Sequence, residues 1–189
     1  MNPPHFAYVD ESMRVSSGLY LMAAVLVPPT CAEGYRAVLR GLLLRNQRRL
    51  HWRDEKDKRR VQLVEAIGAL RPCGIVVIGT GLDRGRQERA RRKCMERLLW
   101  ELSNRDIGEV VFESRGPQLD ASDRKMIDIM RIRSMLPDRI RAAWRNPIAD
   151  PLVWMPDIVA GAASLAEIGE ESLVKALGRG VLIERISID

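Results

Sequence analysis

Apolar positions along the chain fall into short alternating or continuous runs, separated by longer stretches in which they recur at helical spacing. Residues 5–10 alternate around Phe6 and Tyr8 and residues 18–27 are almost wholly apolar, so both are expected to be strands. The polar stretch at residues 12–17 between them predicts an antiparallel hairpin, and Pro28-Pro29 stops the second strand. Val38, Leu39 and Leu42 within residues 30–46, and Val61, Val64, Ala66, Ile67 and Leu70 within residues 54–70, predict two amphipathic helices.

Arg71-Pro72 ends the second helix, and residues 74–82, rich in Ile and Val, predict a third, buried strand. A long helix follows over residues 84–104, with Ala90, Cys94, Leu98 and Leu102 on its apolar line. Residues 109–113 predict a fourth strand, 120–136 a helix, 139–144 a short fifth strand and 156–168 a last helix. Pro156 suits that helix start, where a missing N–H is harmless. Strands paired early and then alternating with helices imply an α/β fold: a mixed five-stranded sheet flanked by helices. Val181-Leu182-Ile183 has strand character without a fixed place, and would pair with a sheet edge or another chain.

A length of 189 residues matches one domain of roughly 100–200 residues. Residues 1–189 are therefore expected to form a single domain with a strand-like tail over 179–189. The longest apolar run, Leu19–Val27, falls short of the ~20 residues of a spanning helix, so no membrane partner is expected. Met1-Asn2-Pro3-Pro4-His5 lacks the basic and apolar segments of an export signal, which leads to a cytoplasmic expectation. Cys31, Cys73 and Cys94 lack CxxC spacing and read as buried thiols.

Charge changes the picture more. The formal net charge is +6, and its excess is local. Residues 45–60 hold eight Lys or Arg against three acids, and residues 84–93 hold six against Glu88 alone. Clustered guanidinium groups pair bidentately with phosphate and release counterions from nucleic acid, so DNA or RNA is the expected partner; a solvated helix face is the plainer alternative.

Three acidic positions stand where chemistry would want them. Asp10-Glu11 closes the first strand, Glu113 closes the fourth, and Asp157 opens the last helix. Acids at the carboxyl ends of neighbouring strands share the crevice where open α/β sheets bind ligands. Carboxylates brought together repel, and a hard cation such as Mg²⁺ or Mn²⁺ relieves that repulsion. Each residue also has a plainer reading: a polar hairpin end for Asp10 and Glu11, a surface pair with Arg115 for Glu113, and a helix-dipole partner for Asp157. Strand alternation points Asp10 and Glu11 to opposite faces, and Asp10, sharing a face with Phe6 and Tyr8, is preferred as the ligand. Gly161 and Ser164, on the helical face of Asp157, would leave room for a substrate backbone. His51 is either structural or a phosphate contact, and Asp120 and Asp123 read first as acids of a helix start. Arg115, Arg84 and Arg86 are the candidate phosphate-binding arginines.

Tyr8-Val9-Asp10-Glu11-Ser12, Leu50-His51-Trp52, Phe112-Glu113-Ser114-Arg115 and the run from Pro151 to Ala162 together resemble the domain-of-unknown-function 3800 family. The resemblance spans nearly the whole chain and implies a ribonuclease H-like architecture and a metal-dependent phosphodiesterase. Met13 stands where such proteins commonly carry Gly, which points to a different turn after the first motif. A further helix acid, Glu96 or Glu101, is expected by the same resemblance. The combined expectation is a nuclease or phosphodiester-transfer enzyme, with Asp10, Glu113 and Asp157 as metal ligands and Glu11 as a ligand or nearby base. A catalytically silent nucleic-acid-binding protein, or an assembly protein forming homo-oligomers, is the alternative.

Overall fold

The computed structural model describes residues 5–105 and 107–188. Residues 1–4, where the reading of the N-terminus for an export signal begins, lie outside the described residues, as do residues 106 and 189. The sheet has six strands in the order β5-β4-β1-β2-β3-β6. These are β1 His5–Arg14, β2 Leu19–Val27, β3 Cys73–Thr80, β4 Ile107–Glu113, β5 Arg141–Arg145 and β6 Val181–Ser187. β1 and β3 flank β2 antiparallel, whereas β4 runs parallel to β1, β5 to β4 and β6 to β3. The expected five strands become six because the tail run Val181-Leu182-Ile183 extends into β6 and docks on β3 of its own sheet.

Alternation along the strands divides the core. Tyr8, Leu21, Val25, Val76 and Val111 face a layer that includes α1 Ala32–Gly41, α2 Asp57–Ala69 and α5 Trp154–Ala166. Ala7, Val9, Met22, Val77, Val110 and Phe112 face α3 Gln87–Ser103 and α4 Pro117–Ile132. The last helix, α6 Ser172–Ala176, packs on α2 and α5. α5 is buried from Trp154 to Leu165, and a helix apolar all round belongs inside a core. It lies against β1 and β2, so any polar side chain it carries is delivered to the middle of the sheet.

The hairpin departs from its expected form. Residues 12–14 continue β1, pairing Ser12 with Leu21, Met13 with Tyr20 and Arg14 with Leu19. The physical reason is Met13, whose side chain packs on the α3/α4 core and so carries the strand alternation onward. The turn shrinks to a 3-10 segment, Val15–Ser17, closed by Gly18 at φ 66°, a left-handed conformation in which glycine has no steric penalty. No helix among the described residues is long and apolar enough to cross a membrane.

Candidate active site

Asp10 and Glu113 reach the same place by register. β1 and β4 pair in parallel as far as Val9 with Phe112, and the next residue on each strand is an acid. Tyr8 and Val111, two positions earlier, both face the α5 layer, so Asp10 and Glu113 project toward α5 by the two-residue strand period. Asp157, in the first turn of α5 and only 7% exposed, completes the group. Its Oδ2 accepts a 2.6 Å hydrogen bond from the backbone N–H of Trp52, which fixes the carboxylate against the 3-10 turn Trp52–Asp54.

The three acids feel one another. Burial pushes the Asp10 carboxyl well above the usual carboxylate range, and the charges of Glu113 and Asp157 push it further, against the pull of Arg91 and Arg49. Burial likewise raises Glu113; Arg49 opposes this and Asp157 adds to it. Asp157 is raised by burial too, with the Trp52 N–H, His51, Arg49 and Arg53 drawing it back. Arg49 is thus the cation common to all three acids, and its Nη1 lies 3.1 Å from Glu113 Oε1. Sequence reasoning counted Arg49 only within a basic stretch. Nothing local distinguishes it from Arg48, because its partner is 64 residues away.

Beyond this group, the chain resembles a solved structure in its fold. A chain in the structure of the PCNA:RNase HII complex from Archaeoglobus fulgidus matches it with a TM-score of 0.51 and 17% identity, covering 92% of this chain and 77% of that one. The fold is ribonuclease H-like. No family model matches the chain, and no curated protein matches it.

Glu11 does not join the acids. It points to the opposite face, where it pairs with Arg91 and lies 3.8 Å from Arg115. Arg91, 2% exposed, also forms a two-armed bridge to Asp123 at 3.1 and 2.7 Å. Arg115 bonds Glu88 at 2.9 Å and Asp123 at 3.2 Å, so this candidate phosphate arginine is already held by three carboxylates. Asp120 accepts from Ser114 Oγ at 2.6 Å and from the Arg115 N–H at 2.9 Å, buttressing the end of β4. Asp120 and Asp123 are therefore buried structural partners as well as acids of the first turns of α4.

The remaining candidates sort by position. His51 lines a cleft of about 330 Å³ with Arg14, Arg53, Arg60, Asp157 and Ser164, and its Nδ1 lies 3.1 Å from Asp54 Oδ2. Arg84 and Arg86 are exposed before α3; Arg84 borders a separate hollow with Leu82 and Gln87. The room expected beside Gly161 is filled: a Cβ there would stand 2.2 Å from the Trp52 ring. Ser164 is engaged as well, its Oγ accepting from Arg14 Nε at 3.2 Å. On α3, Glu101 pairs with Arg97 and Arg105, Glu96 is exposed, and the helix packs on the face away from Asp157.

Among the described residues, no group of three or more His, Cys, Asp or Glu side chains stands ready to hold a metal ion. Glu113 is turned to Arg49, and Asp157 to the Trp52 N–H. The donor chemistry nevertheless suits a hard divalent ion, since three carboxylates offer the oxygen ligands that Mg²⁺ and Mn²⁺ take.

Proposed function

We propose that the protein is a divalent-metal-dependent nuclease, or a related phosphodiester-transfer enzyme, acting on DNA or RNA. The observation that carries this reading is the gathering of Asp10, Glu113 and Asp157 where the β1–β4 pairing stops, at the carboxyl end of β4, with each carboxyl raised by burial. The ribonuclease H-like fold supports it, and the resemblance to the domain-of-unknown-function 3800 family belongs to the same proposal.

Asp10, Glu113 and Asp157 would hold Mg²⁺ or Mn²⁺. When bound, such ions activate a water and stabilise the leaving oxygen of a phosphodiester. Asp157 is oriented for this by the Trp52 N–H, which leaves its other oxygen available. Arg49 and His51, beside the acids, would receive the substrate phosphate. Glu11 is left out of the ligand set, because it is committed to Arg91 on the far face.

The test is cleavage of labelled single- and double-stranded DNA and RNA in Mg²⁺, Mn²⁺ or EDTA. Cleavage is expected only with metal. Asp10→Asn and Asp157→Asn should each lose at least the ~100-fold that even outer partners of a metal site can cost. No cleavage of any substrate, with Asp10→Asn matching wild type in every binding assay, would sink the reading.

The Arg49–Glu113 pair favours one rival, a nucleic-acid-binding module that performs no chemistry. Calorimetric titration with Mn²⁺ separates the two. Heat that disappears in Asp157→Asn supports the metal site, whereas no heat with wild type supports the binding module.

A further inference from the structure

The cleft beside Asp157 holds cations other than Arg49, the one common to the three acids. Arg14, Arg53 and Arg60 all line it. Arg60 has structural work: it donates to Asp57 at 3.1 Å and to the Trp52 carbonyl at 3.3 Å, and lies 5.0 Å over the Trp52 ring. Arg14 differs, because the Ser164 hydroxyl is its one hydrogen-bond partner among the described residues. Arg53 makes no hydrogen bond or ion pair with the described residues. Arg36, Arg91, Arg97 and Arg115 are all tied to carboxylates, whereas neither Arg14 nor Arg53 forms an ion pair with a carboxylate among the described residues. A partly buried cation held by a neutral hydroxyl keeps most of its donors for an anion.

Geometry aligns these cations with the acids. Arg14 follows Asp10 by four residues on the same face of β1, a distance of ~13 Å at strand rise. Ser164 follows Asp157 by seven residues on the adjoining face of α5, about 10 Å at helix rise. β1 and α5 therefore run side by side from the acids to Arg14, and the cleft is lined from Asp157 to Arg14 and Ser164. A stacked strand at ~3.4 Å per nucleotide covers that span in about four nucleotides. At about 330 Å³, the cleft sits near the lower end of the ~300–1,000 Å³ usual for ligand sites.

We propose that Arg14 and Arg53 bind the phosphodiester backbone of a single nucleic-acid strand, Arg53 beside Asp157 in the cleft and Arg14 about four nucleotides from the bond that the acids address. The assignment rests on the proposed nuclease reading for its direction along the strand, and on the two arginines for the binding itself. Phosphate chemistry is common to DNA and RNA, so both enter the test.

The experiment is fluorescence anisotropy of labelled 12-nucleotide DNA and RNA single strands in EDTA, between about 50 and 200 mM salt. Arg14→Ala/Arg53→Ala is expected to make the slope of log affinity against log salt shallower by about 1.4, at ~0.7 per single-strand phosphate contact. Arg14→Lys/Arg53→Lys should keep the wild-type slope, which separates lost charge from lost folding. Arg133→Ala/Arg179→Ala, at exposed positions that do not line the cleft, should leave it unchanged. An unchanged slope in the first variant, an equal change in the last, or a change seen only with duplex would each overturn the assignment. So would a wild type that binds neither strand. A wild type that binds as expected and never cleaves would remove the nuclease reading and leave this site standing. Cleavage with an unchanged slope would do the reverse.

Discussion

Asp10 is a buried carboxyl beside two other acids, and the consequence for stability has a definite sign. A carboxyl whose folded pKa is raised holds a proton that the unfolded chain has released, so folding stability falls as pH rises from the unfolded value, ~3.9 for Asp, through the folded one. Near pH 4 the penalty is absent; at neutral pH it is present. In EDTA, Asp10→Asn is therefore expected to match wild type near pH 4 and to melt at least ~2 °C higher at pH 7, read by thermal unfolding at both values. A variant less stable than wild type at pH 7 would contradict this. Asp10 and Glu113 were legible in the sequence because two-residue alternation along an apolar run determines where a side chain points, although β1 continues past Asp10 to Arg14. Arg49, Arg14 and Arg53 were not, since an arginine's role depends on which distant carboxylate reaches it. Arg115 shows the same limit from the other side: its phosphate-like surroundings in sequence prove to be Glu88, Asp123 and Glu11 in space.

α5 and the 3-10 turn Trp52–Asp54 pack closely at Gly161, which lies against the indole of Trp52. Gly161→Ala would drive a methyl group into that ring, and overpacking of this kind costs about 1–3 kcal/mol. Chemical denaturation should show that loss, while an unchanged midpoint would mean that the turn yields easily. The last helix was legible because a nearly uncharged run of twelve buried residues from Trp154 to Leu165 can only be a core element. Its glycine was read instead as open space. A glycine marks a close approach without saying what approaches, and Trp52 lies 109 positions earlier in the chain. Element ends moved for similar reasons: β1 outran its expected stop because Met13 found apolar partners on the α3/α4 face.

The six strands leave β5 and β6 at the edges and place β1 and β4, with their acids, inside. β6 was the element with no assigned place, because a short apolar run does not say which edge it will pair with. Ending the chain after Gly178 would expose the backbone of β3 along its length, and an unpaired edge strand invites association. Light scattering of that truncated chain should find multimers, with a lower Tm than the full chain; a monomer of unchanged Tm would show β6 to be dispensable. The same view of the molecule gives the Arg49–Glu113 pair a further meaning. An arginine lodged on a ligand carboxylate is an internal competitor for any ion seeking those acids, so metal occupancy would begin at a higher threshold than the carboxylates alone would set. A nucleic-acid strand drawing Arg49 toward its phosphates would lower that threshold. By reciprocity, the ion would then tighten the protein's hold on the strand.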